Sequence, residues 1–67
     1  SSIGIQFGSA GLRKVEVFDL QGHLVYGSFA YDKDFSIDLS QSITKGAAVI
    51  RVLEGNHVLG VKRVRLL

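Results

Sequence analysis

The residues best equipped for chemistry in this chain are His23 and His57, the aspartates Asp32, Asp34 and Asp38, and the cations Lys62, Arg63 and Arg65. Each histidine sits in or beside a separate turn, and a zinc centre needs three or four protein ligands. Both therefore read as solvated turn residues. The aspartates superficially resemble a calcium-loop spacing. They lack the loop glycine and the distal bidentate glutamate of that site, so a polar loop is favoured, with calcium on backbone carbonyls as the alternative. Serine, histidine and aspartate all occur, but no Gly-x-Ser-x-Gly elbow does. None of the eight glycines falls in a Gly-x-Gly-x-x-Gly or Walker pattern, so nothing supports a phosphate cradle. Sugar-binding β-sandwiches usually use aromatic platforms, and this chain has no Trp and only Tyr26 and Tyr31. The expectation is no enzyme, no catalytic residue, no metal and no cofactor.

The elements that must carry these residues are strands. No window holds apolar residues at helical spacing, and β-branched and aromatic residues gather in short alternating runs. Ile3, Ile5 and Phe7 predict a first strand with one buried face. Residues 8–11 form a turn cluster. A second strand is predicted over residues 13–20, with Val15 and Val17 on one face and Lys14, Glu16 and Phe18 on the other. Residues 20–23 turn the chain, with Gly22 able to take positive φ, and residues 24–29 return as a third strand. Tyr31 to Asp34 read as a loop. Phe35, Ile37 and Leu39 mark a short strand, and residues 40–46 a connection with Ser40 or Ser42 as a candidate helix cap. The apolar run 47–53 predicts a central strand covered on both faces. Residues 54–56 turn, and residues 57–67 pair back with a bulge or bend near Lys62.

Six or seven strands at this turn spacing predict an all-β, immunoglobulin-like antiparallel sandwich. Val17, Ile37, Leu39, Ile50 and Val52 are its expected buried residues. A sandwich of 67 residues is expected to offer little concave volume for a pocket.

Composition narrows the partners. At this length the chain is a single small domain of marginal stability, and with no cysteine it has no disulfide staple. Docking onto a parent chain or partner is the expected substitute. The net charge of +2 is too mild for a nucleic-acid surface, so no nucleic-acid partner is expected. No stretch is apolar and long enough for a membrane-spanning helix, nor does the start read as a signal peptide. Ser1-Ser2, with no Met before it, reads as a domain boundary within a longer precursor. Without proline, Lys14, Glu16, Arg63 and Arg65 are the candidates to guard sheet edges, and an edge-to-edge homodimer is a possible partner state.

The segment Val17-Phe18-Asp19-Leu20-Gln21-Gly22-His23-Leu24-Val25 resembles the V-x-[YF]-D-L-x-G-x-x-V hairpin of C-terminal sorting domains of the bacterial type IX secretion system. Ile37-Asp38-Leu39-Ser40 resembles that family's I-D-L-S strand. Residues 45–52 (KGAAVIRV) resemble its x-G-x-Y-x-V-x-V strand. Gly55 and then residues 62–66 (KRVRL) resemble its closing run. The chain departs from the pattern in having no Asn-Pro opening and in carrying Ala48 where the family has an aromatic. The resemblance implies a secreted cargo that crosses the periplasm to the bacterial cell surface. Its partners would be the parent cargo, the export machinery and a surface transpeptidase that removes the domain. It also implies that Lys62, Arg63 and Arg65 are recognised, and that Asp19, Gly22 and Gly46 shape turns and strand entries. The alternative is a carbohydrate-binding or structural sandwich module appended to a surface enzyme.

Overall fold

The structure, a computed structural model, describes residues 2–38 and 46–66. Alternation of branched and polar residues becomes six strands: β1 (Ser2–Gln6), β2 (Arg13–Phe18), β3 (Leu24–Ala30), β4 (Asp34–Asp38), β5 (Gly46–Glu54) and β6 (His57–Leu66). They form two antiparallel sheets, a four-stranded one in the order β3-β2-β5-β6 and a two-stranded one of β1 and β4. The all-β sandwich reading holds, with six strands among the described residues.

Register decides which side chains meet. In the small sheet Ile3 lies opposite Ile37 and Ile5 opposite Phe35. Directly opposed residues of an antiparallel pair share a face, so these four side chains form one apolar face. In the large sheet Val15 pairs with Val52 and Val17 with Ile50. Ala48 on the same strand meets Val64. The two apolar faces enclose a core in which Val15, Val17, Ala30, Ile37, Ala48 and Ile50 are buried. Loop hydrogen bonds bring the β1–β2 connection against the β3–β4 connection: Phe7 N donates to Lys33 O at 2.7 Å and Gly11 N to Tyr31 O at 2.8 Å.

Several expectations are corrected. Val52 is only half-buried, unlike Val17, Ile37 and Ile50. It faces a flank that the two-stranded sheet does not reach. Strand β5 is central in its sheet but covered on one face. Val49, Arg51 and Leu53 on its other face are half-buried, shielded by sheet neighbours rather than by a second layer among the described residues. The bulge lies at Leu59, not near Lys62. Val52 pairs with Gly60 while Leu53 pairs with Val58, leaving Leu59 as the additional residue. Lys14 and Glu16 cannot guard an edge, because β2 lies between β3 and β5. Leu39 and the capping serines Ser40 and Ser42 lie outside the described residues.

Candidate interaction surface

The three cations near the end of the chain lie on β6, which among the described residues pairs with β5 alone, so that its other side is a sheet edge there. Lys62, Arg63 and Arg65 are all exposed, and none has an acidic partner among the described residues. Alternation splits them. Lys62 opposes Ile50 and so points to the core side of the sheet, whereas Arg63 opposes Val49 and Arg65 opposes Ala47 on the outer side. The basic cluster of the sequence is therefore two surfaces sharing one strand, with Val64 between them packed against the core.

On the outer side the structure adds a site that sequence reading missed. Glu16 is buried, at 8% exposure, and lies directly across from Arg51. Its Oε1 accepts from Arg51 Nε at 2.8 Å and pairs with Nη2 at 2.6 Å. Lys14 Nζ stands 3.7 Å from the other carboxylate oxygen. Arg51 also stacks over the Phe18 ring at 5.1 Å, and Lys14 lies 6.0 Å from that of Phe29. Two guanidinium nitrogens thus converge on one oxygen of the buried Glu16 and give it a hydrogen-bonded counter-charge. The only sequence signal was an acid and a base on separate strands, which means nothing until the register is known.

Arg13 is the second missed residue. It is 8% exposed, donates from Nη1 to Ser9 O at 2.7 Å, and lies 4.4 Å from the centroid of the Phe7 ring. Its Nε stands 3.8 Å from Glu54 Oε2 but makes no hydrogen bond. Arg13 thereby ties the 8–11 turn cluster to the sheet.

The hairpin between β2 and β3 is built around Asp19. One oxygen of its carboxylate accepts from Gln21 N at 2.9 Å and from His23 N at 2.8 Å. The other lies 3.2 Å from His23 Nδ1. Gly22 takes φ +90°, where a Cβ is strained, and its N–H donates back to Asp19 O at 3.1 Å. These bonds, that from the His23 N–H foremost, hold the Asp19 carboxyl below its ordinary value of 3.8. Gly46 takes φ +99° where β5 begins. Asp19, Gly22 and Gly46 thus stand at a turn and a strand entry.

His23 lies in the β2–β3 turn, whereas His57 is the first residue of β6 and pairs with Glu54 rather than standing in the turn. The two are at opposite ends of the four-stranded sheet, since Phe18 pairs with the start of β5 and Lys14 with its end. Asp34 and Asp38 stand at the two ends of β4. Among the described residues no three acidic, His or Cys side chains lie close enough to hold a metal.

The expectation of little concave volume is overturned. A groove of about 440 Å³ opens between β1 and the core side of β5 and β6. Ile3, Ile5, Ile50, Val52 and Val64 supply its apolar walls, and Lys62 is the one charged residue among those described that line it. Such a volume falls within the range of roughly 300–1,000 Å³ typical of binding clefts. Its lining, however, offers no pair of groups for acid–base or nucleophilic work.

The chain matches no family model, no curated protein and no solved structure.

Proposed function

We propose that this chain is a C-terminal sorting domain, a β-sandwich that the type IX export machinery reads in order to carry a larger cargo to the bacterial cell surface. One observation carries the reading: the last strand is a sheet edge whose three cations are exposed and have no acidic partner among the described residues. An edge strand offers main-chain hydrogen bonds to a partner, and its charges supply steering and register. The Asp19–Gly22 hairpin adds support, because it gives a physical role to the residues that resemble the family's D-L-x-G segment. Under this reading the domain has no chemistry of its own. The transpeptidase supplies the chemistry, and the sandwich supplies a folded surface to be recognised.

The test is a fusion. This domain placed at the C-terminus of a periplasm-targeted reporter should bring the reporter to the surface of a type IX-competent bacterium, and the reporter should arrive without the domain. Reversing the charge at Lys62, Arg63 and Arg65 while keeping Val64 should give a variant that folds yet exports poorly, because the charged tips lie in solvent. A wild-type fusion that folds and remains in the periplasm overturns the reading. Binding of the isolated chain to an insoluble polysaccharide would then favour the carbohydrate-module alternative.

A further inference from the structure

The two sheets are unequal, and the inequality lies on one side. Ile37 of β4 is fully buried, whereas Ile3, directly opposite on β1, is half-exposed. Val52 and Val64, on the large sheet beneath that same flank, are half-exposed as well. All three line the groove of about 440 Å³. Strand β1 pairs only with β4, so its groove-side edge carries main-chain donors and acceptors with no strand partner among the described residues. Neighbouring strands lie about 4.8 Å apart and stacked sheets about 10 Å. One additional strand beside β1 would therefore stand over β6, completing the small sheet and covering Val52 and Val64.

From this geometry we infer that the groove is a docking site for a single extended peptide segment that carries an acidic side chain among alternating apolar ones. The segment adds to the edge of β1. Its inward side chains rest on Ile50, Val52 and Val64, and its acidic residue meets Lys62. The charge follows from the lining, in which Lys62 is the one charged residue among those described and has no acidic partner among them. Burying that ammonium under a new strand without a counter-charge would carry a desolvation cost that a carboxylate offsets.

The same geometry excludes a second folded copy as the occupant. In each molecule the inner face of the small sheet is backed by the four-stranded sheet. A copy extending β1 with one of its own small-sheet strands would bring its large sheet into the space that β6 fills. A copy entering by β6 would bring further cations toward Lys62, the one charged residue among those described that line the groove. A lone extended segment has nothing behind it and no such repulsion. This docking site goes beyond the sorting proposal and does not require it.

The test uses the full chain and two synthetic peptides. Both are eight-residue alternations of Val and Thr with a central Val replaced, by Glu in one and by Lys in the other. The Glu peptide should bind in fluorescence anisotropy at least about tenfold tighter than the Lys peptide. It should also slow hydrogen exchange of amides in Ser2–Gln6. In Lys62→Glu, whose altered side chain is solvent-exposed and whose fold is checked by circular dichroism, the preference should invert. Equal affinity for both peptides, or a preference indifferent to Lys62→Glu, overturns the inference. So does protection on β3 instead of β1, or sedimentation showing that a second copy competes for the groove. None of these readouts involves export, so the failure of one proposal leaves the other standing.

Discussion

At the scale of single residues, two side chains hold charge against solvent for different reasons. The Asp19 carboxylate lies on an exposed hairpin but accepts two main-chain N–H bonds, so its ionised form is favoured in the folded state. A depressed folded pKa means that the contribution to stability is present above the unfolded value and lost as pH falls through the folded one. Asp19→Asn should therefore lower the thermal midpoint near neutrality. It should also flatten the loss of stability that wild type would show as pH falls below the ordinary carboxyl value of 3.8. A variant whose acid limb is as steep as that of wild type would contradict the role given to Asp19. Glu16 is the buried case, held by Arg51 across the β2–β5 pair. Arg51→Met leaves that carboxylate with Lys14 alone at 3.7 Å. Arg51 is 40% exposed, which moderates the loss to about 1–2 kcal/mol, between exposed and buried pairs. Denaturant unfolding of Arg51→Met and of the double variant Glu16→Gln/Arg51→Met checks this. The double variant should recover part of the loss, since no uncompensated charge remains buried.

At the scale of elements, β5 organises the molecule. It pairs with β2 on one side and β6 on the other, and it gives Ala48 and Ile50 to the core. Ile50→Ala should cost about 2–5 kcal/mol. In a domain this size that lowers the midpoint by roughly 8 °C or more. A thermal midpoint within experimental error of wild type would remove Ile50 from the centre of the core. The bulge on β6 has a separate consequence. Leu59 is the unpaired residue, and the pairs on either side of it are regular. Deleting Leu59 should straighten the ladder while Lys62 still faces Ile50 and Val64 still faces Ala48. That variant should keep the wild-type circular dichroism spectrum and move the midpoint by only a few degrees, a change of about 1 kcal/mol or less.

At the scale of the whole molecule, the sandwich is thin, with extents of 31 × 21 × 15 Å. Leu24, Phe29, Val58 and Val61 are exposed apolar residues, and β6 is a long open edge. Such a molecule is prone to pair edge to edge. If β6 pairs with β6 of a second copy, each strand brings Lys62, Arg63 and Arg65 to the junction. Like charges repel less when screened, so salt should promote this association. Sedimentation at low and high ionic strength checks the sign. A dimer that dissociates as salt rises would place the contact on a surface of opposite charges instead.

Alternation with a period of two was enough to read the strands of Ile3–Phe7, Val15–Val17 and Phe35–Ile37 and the face each buries, because pleat geometry links sequence parity to sheet face. Gly22 was legible for a local reason too, since positive φ is strained for any residue with a Cβ, whereas the positive φ of Gly46 at the entry to β5 was not read from the sequence. What parity cannot supply is the register between distant strands. The pairing of Glu16 with Arg51, the division of Lys62 from Arg63 and Arg65, and the bulge at Leu59 are all consequences of register. The groove belongs to a higher level again. Among the described residues it lies where two strands face four, and how many strands stand opposite a sheet is set by how the whole chain packs, not by the pattern within any one strand.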